Sequence, residues 1–133
     1  MLSWKSEYET GVSLVDTQHQ TLFKYINKLH ELTQRPAVDK AEMDSFIGFL
    51  ESYVVSHFQY EESCMNRFNC PAHVVNKKAH GEFLKVWGQF KAAYAQQGPN
   101  KVLLSKLHSV AVQWIKNHIC TVDVKLRTTT PVA

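Results

Sequence analysis

Two residues near the middle of the chain, His57 and Glu61, have side chains that could bind metal together. They are four positions apart, so on an α-helix they would lie on one face, about 6 Å apart along the axis. An imidazole nitrogen binds a single transition-metal ion, whereas the two oxygens of a carboxylate can bridge a pair of ions. A buried histidine beside a solvated glutamate is the commoner origin of this spacing, so the rest of the chain must decide.

Apolar residues recur at intervals of three and four through four segments, which predicts four amphipathic helices. The predicted helices cover residues 17–35, 40–68, 71–97 and 101–124. Asp16, Asp39 and Asn100 are suited to cap three of them. Pro71 suits the first turn of the third helix, and Gly98-Pro99 is expected to end it.

Short connections between these helices favour an all-α fold, an antiparallel up-down-up-down four-helix bundle. At 133 residues the chain is expected to be a single domain, 1–133. Residues 1–15 contain Trp4 and other apolar residues without helical period, and we expect an ordered arm. Residues 128–133 are expected to be a frayed tail.

Each predicted helix carries one histidine on its apolar face: His19, His57, His80 and His118. In an up-down bundle the starts of the first and third helices meet the ends of the second and fourth, which is where these histidines lie. Four histidines converging with Glu61 are hard to explain without metal. Asp123 adds a carboxylate only if the fourth helix ends or bends after His118, because five residues turn through about 500°.

Other polar residues near these positions are expected to stay outside the site. Glu62 is turned about 100° from Glu61 on a helix and is predicted to be solvated. His30, His73 and His108 are predicted to be surface or packing residues.

The order and spacing of these residues resemble the bacterial hemerythrins over nearly the whole chain. The matching positions are Trp4, Gly11, Val12, 16–19, 57–62, 80–83, Trp114, His118, Ile119 and Asp123. The resemblance implies a non-haem di-iron site, bridged by an oxo or hydroxo group, that binds O₂ reversibly for carriage, storage or sensing. It also implies the iron ligands: His19 and His57 on one iron, His80 and His118 on the other, and Glu61 and Asp123 bridging both.

Asn76 departs from the family pattern, which has a histidine four residues before the counterpart of His80. An amide is a weak neutral ligand, so Asn76 is expected to be a weak ligand or to hydrogen-bond another one. His73 cannot simply replace it, because it lies about 10 Å from His80 along the helix axis. Two alternatives remain: a di-iron peroxidase or oxidase that uses the open position at Asn76, and a bundle that binds metal weakly or binds another metal such as zinc.

Four apolar side chains flank the expected ligands and are predicted to form the walls of the O₂ pocket. They are Phe23, Phe58, Ile115 and Ile119. Apolar walls would slow the entry of water and the loss of superoxide.

Composition excludes several classes of function. The 15 Lys and Arg are scattered and the net charge is only +3, which argues against a nucleic-acid interface. No apolar run approaches the roughly 18 residues of a membrane span. The N-terminus lacks the apolar core of a signal peptide, and three irregularly spaced cysteines indicate reduced thiols rather than a disulfide framework. We therefore expect a cytoplasmic protein, and the sequence leaves its oligomeric state open.

Overall fold

All four predicted helices are present in the structure. It is a computed structural model and describes residues 2–128. The helices are α1 (Ser13–Gln34), α2 (Lys40–Arg67), α3 (His73–Gln97) and α4 (Lys101–Thr121), with 3₁₀ turns at Ser6–Tyr8 and Asp123–Thr128. No strand occurs within residues 2–128, and the all-α prediction is confirmed.

The helices form the predicted up-down-up-down bundle. Helix α1 contacts α2 and α4, and α3 contacts the same two helices from the other side. The connections span residues 35–39, 68–72 and 98–100, and such short connections make sequential helices antiparallel. One apolar core runs between them, and its most deeply buried side chains are Leu32, Met43, Leu104 and Ile119.

Two of the three predicted N-caps are confirmed. The side chain of Asp39 accepts a hydrogen bond from the backbone of Ala41 at 3.0 Å. Asn100 accepts one from Val102 at 2.8 Å. Gly98, with a φ of 69°, ends α3, because this left-handed conformation strains residues that have a Cβ.

The prediction that Asp16 caps the first helix is wrong. Helix α1 begins at Ser13, four residues before position 17, and no side chain caps it. Asp16 lies in the first turn, and its carboxylate accepts hydrogen bonds from the backbone and the hydroxyl of Thr10 at 2.8 and 2.9 Å. Asp16 therefore bonds to the arm instead of the backbone at the start of α1. Because α1 begins at Ser13, the arm ends at Val12 and is shorter than predicted.

The third and fourth helices also differ from their predicted bounds. Helix α3 begins at His73 instead of Pro71, because Asn69 adopts a φ of 54° and residues 70–72 form a turn closed by a hydrogen bond from the backbone of His73 to Cys70. Helix α4 ends at Thr121 instead of residue 124. This second difference matters for the site.

The N-terminal arm is ordered against the bundle, as predicted. The ring of Trp4 lies 5.5 Å from those of Tyr8 and Phe23, and Tyr8 is buried. The backbone of Leu2 exchanges two hydrogen bonds of 2.9 Å with the side chain of Asn27. The predicted frayed tail falls almost entirely on residues 129–133, outside the described residues. None of the helices between residues 2 and 128 is long and apolar enough to cross a membrane.

Candidate metal centre

The four histidines on the apolar faces of the helices converge at one end of the bundle. His19 lies near the start of α1, His57 near the end of α2, His80 near the start of α3 and His118 near the end of α4. All four are buried, with exposed fractions from 0% to 6%. Their Nε2 atoms face two buried carboxylates, those of Glu61 and Asp123.

Glu61 lies between the histidines and is fully buried. Its Oε2 is 2.9 Å from Nε2 of His19 and 3.3 Å from Nε2 of His57. Its Oε1 is 3.2 Å from Nε2 of His80 and accepts a hydrogen bond of 3.0 Å from the amide of Asn76. Oε2 of this carboxylate therefore faces α1 and α2, whereas Oε1 faces α3.

Asp123 reaches the site because α4 ends before it. The helix stops at Thr121, Val122 has φ −117° and ψ −60°, and a 3₁₀ turn starts at Asp123. A continuous helix would turn through roughly 500° between His118 and Asp123 and point the carboxylate away from the site. The break at Val122 removes this constraint. Oδ2 of Asp123 lies 3.2 Å from Nε2 of His19, and Oδ1 lies 3.1 Å from Nε2 of His118. Asp123 thus contacts histidines of α1 and α4, as Glu61 contacts histidines of α1, α2 and α3.

Two residues hold the turn that carries Asp123. Leu126 is fully buried in a small cluster with Met65 and Val122. Arg127 donates hydrogen bonds to backbone carbonyls of the N-terminal arm, including that of Glu7 at 2.7 Å. The arm and the C-terminal turn therefore fix each other at the end of the bundle where the four histidines converge.

The donor set fits a pair of cations. Ligand atoms of two groups of buried side chains come within 4.8 Å of one another: His19, His57 and Glu61 in one, and Glu61, His80, His118 and Asp123 in the other. Glu61 belongs to both. Oδ1 of Asp123 is buried and near His118, yet no hydrogen bond reaches it. A buried anionic oxygen without a donor is costly, and a metal ion would satisfy it.

Two side chains outside the cluster of converging donors orient the imidazoles of His57 and His80. Nδ1 of His57 lies 2.7 Å from Oε1 of Gln18, and Nδ1 of His80 lies 3.0 Å from Oε2 of Glu62. Both oxygens are acceptors, so each Nδ1 would donate a proton to them, and in a neutral ring this leaves the lone pair of Nε2 free to bind a metal ion. Such outer hydrogen bonds are typical of histidines that bind metal.

The prediction that Glu62 is solvated is therefore wrong. Its side chain is 23% exposed and bonds His80 on the neighbouring helix. The periodicity of α2 correctly turns Glu62 away from Glu61, but α3 packs on that side. Sequence reasoning also gave no role to Gln18, whose only indication was its place beside His19.

Asn76 occupies the position where the family pattern has a histidine. It is fully buried. Its amide donates to Oε1 of Glu61, and its Oδ1 lies 2.6 Å from Nε2 of His118. Asn76 thus links a carboxylate and an imidazole inside the ring of donors. His73 begins α3 and belongs to neither group of converging ligand atoms.

Aromatic rings surround the histidines. Phe58 stacks on His80 with ring centroids 3.8 Å apart and planes 4° apart. Trp114 stacks on His118 at 4.4 Å and 14°, a contact that sequence reasoning did not include in the pocket. The other predicted walls, Phe23, Ile115 and Ile119, are buried in the same core cluster.

The remaining histidines lie away from this ring. His30 on α1 and His108 on α4 are half-buried and pack against each other, with ring centroids 4.9 Å apart. Burial and the neighbouring ring of His30 lower the pKa of His108.

Comparisons with known proteins agree with this geometry. The family model for the hemerythrin HHE cation binding domain matches residues 10–126. The chain belongs to the hemerythrin family.

Individual relatives cover nearly the whole chain. A bacteriohemerythrin of Clostridium acetobutylicum is 32% identical over 126 residues, which is 92% of this chain and 96% of that protein. Hemerythrin subunit alpha of Lingula reevii is 26% identical over 94% of this chain and 92% of its own length. A crystal structure of wild-type hemerythrin superposes with a TM-score of 0.81 at 25% identity and covers 97% of both chains. Hemerythrins bind O₂ at a non-haem di-iron centre, as the sequence resemblance implied.

The hydrogen bond between Glu62 and His80 gives a first testable prediction. Glu62→Gln keeps a side chain of the same length but removes the charge that holds the Nδ1 proton of His80. Loss of such an outer partner typically weakens metal binding about 10–100-fold. We expect iron to be released to a chelator faster by a comparable factor, measured as iron per chain against time. Glu82→Gln on the exposed side of α3 is the matched control, and equal release from both variants would contradict the role of Glu62.

The charges of the site predict how the chain stripped of metal responds to pH. Burial opposes protonation of His19, but contacts with Asp123 and Glu61 outweigh it and raise the pKa of His19 from 6.5 to about 10. Between these values the folded chain holds a proton that the unfolded chain has lost. The resulting stability is complete below pH 6.5 and is lost as the pH rises toward about 10.

We therefore expect the melting temperature of the chelator-treated protein to fall as the pH rises across this window. Circular dichroism melts at several pH values measure it. A metal ion bound by His19 would replace this proton, so the iron-loaded protein should show a smaller fall, which makes it the control. A melting temperature of the stripped protein that stays constant or rises with pH would show that His19 is not protonated there.

Proposed function

We propose that this chain holds two non-haem irons at the ring of histidines and binds O₂ reversibly there. One observation carries the proposal: Glu61 and Asp123 each turn one oxygen toward each of two groups of imidazoles. A carboxylate that serves two ions must present its oxygens in this way. When bound, an iron pair supplies the redox chemistry of O₂ binding, and the protein supplies position and surroundings.

The assignment of ligands follows the contacts. His19 and His57 would hold one iron, since their Nε2 atoms share Oε2 of Glu61. His80 and His118, whose Nε2 atoms are 3.2 Å apart, would hold the other. Glu61 and Asp123 would bridge the two ions, and their two negative charges would partly neutralise the metal in a buried site.

Asn76 would leave the second iron with one imidazole fewer than the family pattern. Its Oδ1 and Nδ2 already contact His118 and Glu61, so it is placed to bind weakly or to hydrogen-bond a water or small anion at the open position. Asn76 would thus change the ligands of the iron at His80 and His118 and leave those of the iron at His19 and His57 unchanged.

The surrounding side chains control access to the site. Phe58 and Trp114 lie face to face with two of the ligating rings, and Phe23, Ile115 and Ile119 are buried beside them. We assign these side chains to the walls of the O₂ pocket. Apolar walls exclude water, which strengthens the electrostatic interactions inside and prevents side reactions.

Absorption spectroscopy of the purified protein tests this function. Visible bands of a ferric iron pair should bleach on reduction, and exposure to O₂ should give an oxygenated spectrum that disappears again when O₂ is removed. Sustained turnover of peroxide would favour the enzymatic alternative, and a colourless protein that contains zinc would favour the other. Nothing in the described residues favours either alternative.

The thiols bear on the compartment, which we propose is the cytoplasm. All three cysteines are free, as expected of a reducing environment. Cys64 and Cys70 are buried and Cys120 is exposed. We expect a thiol reagent to modify only Cys120 in the native protein and all three cysteines after denaturation without reductant. A single reactive thiol after denaturation would reveal a disulfide between the other two and contradict this proposal.

A further inference from the structure

The core of the bundle contains a cavity beside the metal site. All four helices line it, with Leu22 and Ile26 from α1, Leu50 and Val54 from α2, Trp87 from α3 and Ala111 from α4. The centre of a water-sized sphere can move through about 40 Å³ of it.

The lining offers no hydrogen bonds from charged or hydroxyl groups. Its residues are aliphatic and aromatic throughout. The indole nitrogen of Trp87, one of the ring residues that line it, donates to Glu51 at 2.8 Å and so is turned away from the cavity. A water needs roughly 10–15 Å³ on this measure and two to four polar partners, so an apolar cavity of this kind stays dry.

A dry cavity of this size is suited to a small apolar molecule. The atoms that line an empty space lose dispersion contacts, and an apolar guest restores them. Engineered cavities lined by Leu, Ile and Phe stay dry and bind xenon or benzene. This one is large enough for a xenon atom or a diatomic gas, because it exceeds the room of a single water by about a factor of three.

The cavity also borders the ligands of the metal site. Phe58 lines it and stacks on His80 at 3.8 Å. Trp114 lines it and stacks on His118 at 4.4 Å. One ring thickness therefore separates the cavity from two of the histidines.

We propose that this cavity is a gas reservoir, which adjoins the O₂ pocket through the shared walls Phe58, Ile115 and Trp114 and holds O₂ in the core before it reaches the metal centre. The identity of the gas rests on the proposed function, whereas binding of a small apolar molecule rests on the cavity alone. The site needs no iron, so xenon can probe it directly.

Crystals of the purified protein under xenon pressure test whether the cavity binds a small apolar molecule. We expect anomalous density from xenon among Leu22, Leu50 and Ala111. In Ala111→Leu the added carbons fill the cavity, and xenon density should disappear. Ala92→Leu, at an exposed position of α3, adds the same atoms outside and should retain it. Absence of xenon from the wild-type cavity, or its persistence in the filled variant, would overturn the proposal.

Stopped-flow measurement of O₂ association tests whether the cavity holds O₂ before it reaches the metal centre. We expect Ala111→Leu to slow association several-fold with iron per chain unchanged, and Ala92→Leu to match the wild type. An unchanged rate in a filled variant that has lost xenon would overturn the holding role. Val54→Ile fills less of the cavity and replaces Ala111→Leu if that variant does not fold. A wild type that binds xenon but not O₂ would contradict the proposed function and leave the gas site established.

Discussion

Replacing Glu61 by glutamine is expected to release both irons together. The carboxylate is fully buried, and each of its oxygens faces imidazoles of a different group. An amide keeps the shape but has one oxygen and no charge, so it cannot bridge two cations. The loss of affinity should exceed the roughly 10–100-fold that removal of an outer hydrogen-bond partner costs. Iron per chain after gel filtration measures the effect.

Two further measurements make this result specific. Glu51→Gln is the matched control, since Glu51 is ten residues earlier on the same helix and contacts Trp87 and Lys91 instead of the site. Circular dichroism should show that the Glu61 variant remains helical, which separates loss of ligand from loss of fold. If the variant keeps one iron firmly, Glu61 serves only one ion and the bridging assignment is wrong.

Restoring a histidine at position 76 should strengthen the second iron site. Asn76→His places an imidazole four residues before His80, on the same helix face, where the structure has a fully buried amide between Glu61 and His118. Imidazole is a better iron donor than an amide. We expect iron retention against a chelator to rise by about tenfold or more, at least the effect of an outer partner. We also expect the oxygenated form to oxidise more slowly, because the restored ligand closes a position open to water.

The controls separate the new ligand from the lost amide. Asn76→Ala removes the amide and adds no nitrogen, so it should not improve retention. Asn66→His adds a histidine at an exposed position of α2 and should behave as the wild type. Retention of iron and decay of the oxygenated spectrum are followed side by side. A wild type that retains iron and O₂ as well as Asn76→His would mean that Asn76 does not stand in place of a missing ligand.

The local pattern of the sequence was sufficient for the fold and for most of the candidate ligands. Apolar periodicity gives the number, length and inner face of the helices, and short connections make them antiparallel. Once direction is known, His19, His57, His80 and His118 must lie at one end, because each is at the appropriate end of its helix. Asp39 and Asn100 cap their helices through the nearest backbone N–H groups, a contact that depends only on neighbours in sequence.

Contacts between distant segments decided the rest. Asp16 is used by Thr10 of the arm instead of its own helix end, and Glu62 is taken by His80 across the α2–α3 interface. Asp123 faces His19 only because α4 breaks at Val122 and Arg127 ties the following turn to the arm. Helix periodicity gives the direction of a side chain about its own axis, but the partner it meets depends on how the helices pack. For this reason the inner ring of donors is visible in the sequence, whereas its outer hydrogen bonds, its second carboxylate and the cavity beside it are properties of the tertiary structure.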